Sequence, residues 1–183
     1  MYINTNYYIY IDMIRNIIVA MSYWNRGIGY DNKLLWHLPP DMNNFKNLTI
    51  GKGNNAVLMG KKTMLSLPKG YLPKRDNIVL SNTLNNMNSN NSNCLFFNNS
   101  EDAVNYAEEK EYDELWIIGG EQIYKEFLIN NKTDNIYLTN VIGATLSDAY
   151  FPFIPKNFKE TYRSKDLTYK DMGYFYQKFE NMD

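Results

Sequence analysis

Short apolar runs separated by polar stretches set the framework of this chain. Asn16-Ile17-Ile18-Val19-Ala20-Met21, Ala56-Val57-Leu58-Met59, Asn77-Ile78-Val79-Leu80, Leu95-Phe96-Phe97, Leu115-Trp116-Ile117-Ile118 and Ile136-Tyr137-Leu138-Thr139-Asn140-Val141 are all of strand length. Their apolar character is continuous rather than alternating, which suits strands buried on both faces. Helical patterns fall between them. Pro39 and Pro40 announce a helix reaching Leu48, because proline's missing N–H has no partner in a first turn anyway and its φ is already helical. Further helices are predicted after Gly60 toward Ser66, through Glu101 to Ala107, and from Glu121 through Phe127 and Leu128. Strands and helices in alternation give βαβ order, hence a largely parallel sheet with helices on its faces. After Val141 the pattern changes: residues 158–164 and 174–180 mix polar and apolar positions with no helix between them, predicting an antiparallel hairpin at the sheet edge.

Two segments stand outside this framework. Residues 1–13 carry the β-prone run Tyr7-Tyr8-Ile9-Tyr10-Ile11, an added edge strand or sequence upstream of a start at Met13. Residues 82–93 are dense in Asn and Ser and too polar to order themselves by burial, so a mobile surface loop is expected.

Composition bounds what the framework can do. With 183 residues, 44% hydrophobic and 21% charged, the chain suits one globular domain; a domain of this size buries about 70% of its unfolded surface. The net charge of −1 exerts no global pull on nucleic acid or anionic membrane, so anion binding must be local. Cys94 is the single cysteine and cannot form an internal disulfide, which with the absence of a secretory signal pattern or an apolar run of membrane length predicts a cytoplasmic protein. No metal-ligand spacing occurs.

Ligands of open α/β sheets bind beyond the carboxyl ends of the strands, so those ends carry the candidate chemistry. Met59-Gly60-Lys61-Lys62-Thr63 follows a strand and opens a helix, placing a bare backbone, free N–H groups and two cations together. The spacing is not that of a Walker loop, and a plain turn before a solvated basic helix explains the segment equally well. Ile118-Gly119-Gly120-Glu121-Gln122-Ile123-Tyr124 is a second glycine turn into a helix, suited to a pyrophosphate or simply to a tight turn. Ser81 and Asn82 follow a third strand. Arg75 could fork onto a carboxylate in a way that lysine cannot, or stand as a surface arginine. Asp41 lies in a first helical turn, where a carboxylate commonly complements the helix dipole; residues three and four apart share a face, so Asp41 also joins the apolar stripe of Phe45 and Leu48, with Met42 alongside. His37, the only histidine, has no second base or ligand near it, and Trp24, Trp36 and Trp116 are expected in the core.

Taken in order, these segments resemble dihydrofolate reductase from about Arg15 to the C-terminus. The pieces that carry the resemblance are Ile28-Gly29, Leu34-Leu35-Trp36-His37-Leu38-Pro39-Pro40-Asp41, the Gly60 segment, Leu72-Pro73-Lys74-Arg75-Asp76-Asn77, the Gly119-Gly120 segment, Tyr137-Leu138-Thr139, and Asp148-Ala149-Tyr150-Phe151-Pro152. The resemblance implies an α/β domain over residues 14–183, with a central, mostly parallel eight-stranded sheet, an antiparallel C-terminal hairpin and helices on both faces. It implies NADPH-dependent reduction of 7,8-dihydrofolate to tetrahydrofolate, with hydride to C6 and a proton to N5, by a monomer without nucleic-acid or membrane partners. Asp41, Thr139 and Trp36 would serve the chemistry. Ile18, Met42, Phe45, Leu67, Leu72 and Ile118 would join Asp41 and Thr139 around the substrate, and Arg75 would hold its glutamate carboxylate. Ala20, Ile28, Gly29, Gly60, Lys61, Lys62, Thr63, Ser81, Asn82, Gly119, Gly120, Glu121, Gln122, Ile123 and Tyr124 would hold the cofactor, and the Gly119–Gly120 bond would be cis. Residues 23–35 correspond to the family's loop over the nicotinamide. Leu35 departs from the proline usual before the tryptophan. Three rivals remain: a pyrimidine reductase of riboflavin biosynthesis with the same fold, a non-catalytic protein that keeps the nucleotide pocket, and a purely structural domain.

Overall fold

The computed structural model describes residues 13–84, 92–130 and 132–183. In chain order the elements are β1 (Ile14–Ser22), β2 (Gly27–Gly29), α1 (Pro39–Ile50), β3 (Asn55–Gly60), α2 (Lys61–Ser66), β4 (Asp76–Leu80), β5 (Leu95–Phe97), α3 (Ser100–Glu109), β6 (Glu114–Ile117), α4 (Glu121–Ile129), β7 (Asn135–Val141), β8 (Ala149–Tyr150), β9 (Phe158–Arg163), β10 (Leu167–Tyr169) and β11 (Met172–Asn181). The expected edge strand near Tyr7 and most of the Asn-rich loop fall outside the described residues.

Eight strands lie in the order β10-β11-β7-β1-β6-β3-β4-β5. From β7 to β5 every pairing is parallel, as the continuous apolar runs predict, whereas β11 is antiparallel to β7. The expected hairpin is present, with β9 against the second half of β11; the short β10 takes the first half of the same edge, so β9 is a ninth member outside the linear order. β2 and β8 form a separate two-stranded ladder that no periodicity announces, since neither is longer than three residues and β2 is Gly27-Ile28-Gly29.

Successive side chains of a strand point to opposite faces, and this divides the core in two. Ile17, Val19 and Met21 of β1 pack with Leu58, Ile117 and Leu138 beneath Ala103, Val104 and Ala107 of α3 and Tyr124, Phe127 and Leu128 of α4. Ile18 faces the other way with Val57, Met59, Val79 and Trp116, covered by Phe45 and Leu48 of α1 and by Met64 of α2. Each large side chain fully buried in these layers contributes about 1.5–3 kcal/mol of transfer free energy. Trp116 meets the core expectation at 1% exposure, but Trp24 does not: it is 67% exposed, lying edge-on against Tyr23 in the loop after β1.

Local sequence sets the helix ends that matter for the site. α1 starts at the two prolines and stops at Gly51, whose φ of 53° is tolerated best by glycine. The consequence is that Asp41 sits in the first turn, at the carboxyl-terminal edge of the sheet. α3 is capped by Asn99, whose side-chain oxygen accepts from the Asp102 N–H at 2.8 Å.

Candidate active site

Asp41 meets the sheet at Thr139. The Thr139 hydroxyl, itself buried, donates to Asp41 Oδ1 at 2.6 Å. The two residues are brought together by topology alone, since Thr139 lies in the middle of β7, register partner of Ala20 in β1. Burial raises the Asp41 carboxyl above its ordinary value, and the Thr139 hydroxyl partly offsets that by favouring the ionised form. Asp41 remains half-buried because a pocket opens beside it. Ala20, Ile28, Leu34, Leu35, Trp36, Leu38, Asp41 and Met42 border a pocket of about 290 Å³, much of it open to solvent, and Asp41 is the only ionisable side chain among them. Met42 is 49% exposed, further out on α1 than the stripe with Phe45 and Leu48 suggests.

The apolar wall continues along α1. Ile18 is buried, and Phe45, Leu48, Leu67, Leu72 and Ile118 pack half-buried around the same cluster. At the far end, Arg75 Nη1 donates to Thr49 Oγ1 at 2.6 Å, while its Nε and Nη2 donate to the Pro73 carbonyl at 3.1 and 2.9 Å. These bonds fix the guanidinium and leave one N–H on each terminal nitrogen for a carboxylate. Thr49 lies eight residues, about 12 Å of helix rise, beyond Asp41, so α1 carries both the carboxylate and the hydroxyl that holds the guanidinium. A larger cleft of about 740 Å³, much of it open to solvent, runs from Arg75 past Tyr71, Lys74 and Asn93 at the amino end of β4. It includes Arg75 but not Asp41, which lines the smaller pocket.

The second half of the site is bare backbone. Gly60, at the end of β3, donates its N–H to the Gly119 carbonyl at 2.8 Å, joining the two predicted glycine turns. The Gly119–Gly120 peptide is cis, as the resemblance implies. A β-carbon on Gly119 would lie 2.8 Å from the Tyr124 ring, and one on Gly60 would lie 3.2 Å from Ile123. Gly120 caps α4 without any side-chain bond to the first turn, so the N–H groups of Glu121, Gln122 and Ile123 have no side-chain cap. Thr63 Oγ1 comes within 3.5 Å of where a Gly120 β-carbon would sit, bringing the starts of α2 and α4 together. Bare glycine backbone and an uncapped helix start fit a pyrophosphate.

Cations flank this cradle. Lys61 Nζ donates to Thr83 Oγ1 at 2.8 Å beside the buried Ser81, and Lys62 and Asn82 are exposed. Glu121 Oε2 accepts the Tyr150 N–H at 2.9 Å. Tyr124 is a brace: its hydroxyl donates to the Ile18 carbonyl at 3.0 Å, behind both halves of the site.

Ile28 and Gly29 approach the pocket from above, on β2. That strand is held by its ladder to β8, by the Arg26 guanidinium on the Phe151 carbonyl at 2.8 Å, and by the Asp31 N–H on Asp148 Oδ2 at 2.9 Å. Sequence inspection noted Asp148 to Pro152 only as part of a pattern; its role as the fastening point of the 23–35 loop emerges from pairing across about 120 residues. His37 is exposed and makes no bond among the described residues. No group of side chains able to hold a metal occurs among the described residues.

The sequence model of the dihydrofolate reductase family matches residues 14–181. The chain belongs to that family. Dihydrofolate reductase of Haemophilus influenzae is 38% identical over 140 residues, covering 76% of this chain and 79% of its own length. Dihydrofolate reductase of Drosophila melanogaster is 34% identical over 159 residues, 83% and 86% of the two chains. The bifunctional dihydrofolate reductase-thymidylate synthase of Paramecium tetraurelia is 34% identical over 170 residues, which are 91% of this chain and 34% of that protein. Family membership makes the protein an oxidoreductase of folate metabolism, reducing dihydrofolate to tetrahydrofolate with a nucleotide cofactor. No helix among the described residues is long and apolar enough to cross a membrane.

Proposed function

We propose that this dihydrofolate reductase uses NADPH, with the substrate head on Asp41 and its tail on Arg75. The observation that carries the reading is the pairing of the raised, Thr139-bonded Asp41 carboxyl with a guanidinium anchored two turns along the same helix. Dihydrofolate has an amino-bearing heterocycle at one end and a glutamate carboxylate at the other, and a carboxylate and an anchored guanidinium along one helix suit those two ends. Asp41 Oδ1 is taken by Thr139, which leaves Oδ2 to accept from the pterin's amino group and ring nitrogen. An ionised carboxylate at that place attracts a proton to the pterin and favours its arrival at N5.

When bound, the dinucleotide supplies the hydride that passes to C6. The chain's own contribution is placement. Gly60, Gly119, Gly120 and the backbone of Glu121, Gln122 and Ile123 hold the pyrophosphate, with Tyr124 bracing the turn and Thr63 adding a hydroxyl. Lys61 and Lys62, with Ser81 and Asn82, receive the adenosine side, where two cations favour the extra 2′-phosphate of NADPH. Ala20, Ile28 and Gly29 border the nicotinamide, Ile118 separates the two ligands, and Trp36 closes the pterin pocket with Met42. Residues 23–35, fastened through β8, exclude water from the reacting atoms.

The catalytic domain spans residues 14–183, with 1–13 as an N-terminal extension, supported by a family match that starts at residue 14. It works as a cytoplasmic monomer on a small-molecule substrate; the single buried cysteine supports a reducing compartment, and the near-zero net charge supports a small ligand over a nucleic-acid or membrane partner. The test follows loss of NADPH absorbance on adding dihydrofolate, beside NADH and a pyrimidine substrate of riboflavin synthesis. NADPH and dihydrofolate should give turnover, and Asp41→Asn should lose most activity at neutral pH and less on acidification, when solvent protonates the substrate. Full activity in the variant overturns the role of Asp41; tight NADPH binding without turnover by the native chain favours a binding protein.

A further inference from the structure

α1 runs from the carboxyl edge of the sheet, where Asp41 lies, to the amino edge, where Thr49 holds Arg75. Carbonyls in the last turn of a helix have no partners within it. At the end of α1 the Asn47 carbonyl accepts the Gly51 N–H at 3.1 Å and the Ile50 carbonyl accepts the Gly53 N–H at 2.9 Å. The Thr49 carbonyl instead accepts from a side chain, Asn55 Nδ2 at 3.3 Å. Asn55 is buried at the first position of β3, and a β-carbon on Gly51 would lie 2.6 Å from its Nδ2, so the amide is seated against the helix end.

The same Nδ2 donates at 3.0 Å to Oε2 of Glu114, the register partner of Asn55 at the start of β6. Trp116 Nε1 donates to Oε2 at 3.1 Å and Asn16 Nδ2 to Oε1 at 3.3 Å, while Asn135 Nδ2 donates to Asn16 Oδ1 at 2.9 Å and so sets the direction of that amide. Among the described residues Glu114 makes no ion pair. A carboxylate beside the negative end of a helix whose last turn holds no basic residue opposes the helix dipole. What it supplies is direction: an ionised carboxylate only accepts, so the Asn55 amide turns its NH2 toward Glu114 and, with it, toward the Thr49 carbonyl.

We propose that Asn55, oriented by Glu114, is a positioning residue for the substrate tail: it fixes the last turn of α1 so that Thr49 presents Arg75 to the glutamate carboxylate. The Thr49 hydroxyl donates to the Phe45 carbonyl at 2.7 Å, which commits its proton and leaves Oγ1 to accept Arg75 Nη1 at 2.6 Å. Backbone and side chain of Thr49 are thus both held, one by Asn55 and the other by its own helix.

This inference rests on the role assigned to Arg75. The experiment measures steady-state kinetics with dihydrofolate and with a methyl dihydropterin that lacks the benzoylglutamate tail. The proteins are the full chain, Asn55→Ala, Glu114→Gln, Thr49→Val, Arg75→Lys and the Asn55→Ala/Thr49→Val double variant, with near-UV circular dichroism checking the fold. Asn55→Ala should raise KM for dihydrofolate about threefold at unchanged kcat, and leave kcat/KM for the tail-less pterin at the native value. Glu114→Gln keeps the shape but lets the Asn55 amide turn over, so it should act in the same direction and carries the test if Asn55→Ala does not fold. In the Thr49→Val background Asn55→Ala should add nothing, a coupling that general loosening of the fold does not produce. An unchanged KM for dihydrofolate, an equal loss with both substrates, or additive losses in the double variant overturns the proposal. An unchanged KM in Arg75→Lys overturns the underlying reading instead, so the two failures are distinguishable.

Discussion

Thr139→Val isolates the bond on which the proposed chemistry depends. Valine keeps the shape of threonine and its place in β7 but removes the hydroxyl that donates to Asp41 at 2.6 Å. A hydrogen bond to a charged group contributes about 1.5–3 kcal/mol, and the half-buried Asp41 calls for the low end, about 1.5 kcal/mol. Because that bond favours the carboxylate over the acid, its loss raises the Asp41 pKa further, by about one unit. The sign follows from the form that binds: the pterin's N–H groups need the carboxylate, so affinity falls as pH falls through the already raised Asp41 value. In the variant that fall begins at higher pH. Dihydrofolate titrations followed by tryptophan fluorescence should show the acid limb displaced upward by about one pH unit, with Kd about tenfold weaker on that limb and converging on the native value in alkali. Trp36, which lines the pocket, provides the signal. A limb that stays in place, or moves to lower pH, would refute the assignment of Thr139 as the donor that keeps Asp41 ionised.

Other perturbations probe the remaining anchors. Arg75→Lys loses the planar fork and the bond to Thr49; KM for dihydrofolate should rise about tenfold with kcat little changed, while a pteridine without the glutamate tail should be unaffected. Gly119→Ala places a β-carbon 2.8 Å from a Tyr124 ring pinned by its bond to Ile18, at a φ of 101° that side chains rarely adopt. Overpacking of this kind costs about 1–3 kcal/mol, so thermal unfolding should move down by roughly 2–12 °C in a domain of this size, with NADPH affinity falling in parallel; an unchanged melting temperature would contradict the packing at the cradle.

How much of the site was legible depended on the range of the interactions. Asp41 in a first turn, the glycine turns after β3 and β6, and Arg75 before β4 were visible because each is a local pattern, set by proline, glycine and apolar runs within a few residues. The β2–β8 ladder was not, because three glycine-bearing residues have no periodicity and exist as a strand only when Ala149 and Tyr150 arrive beside them. Trp24 illustrates the converse error: a large aromatic predicts burial, but residues 23–26 leave the sheet and Trp24 stands 67% exposed. Nor does the sequence show that Arg75 is held by Thr49, or that the Glu121 carboxylate accepts the Tyr150 N–H.

The sequence by itself determined the alternation of strands and helices, the parallel core of the sheet, and the motif order that marks the family, since these follow from short-range stereochemistry and apolar spacing. Tertiary structure alone decided the state of Asp41. Thr139 lies 98 residues away, and only the placement of β7 beside β1 brings it to the start of α1. Burial and hydrogen bonding act through space, so the balance between acid and carboxylate at Asp41, on which the proposed chemistry depends, is a property of the assembled sheet.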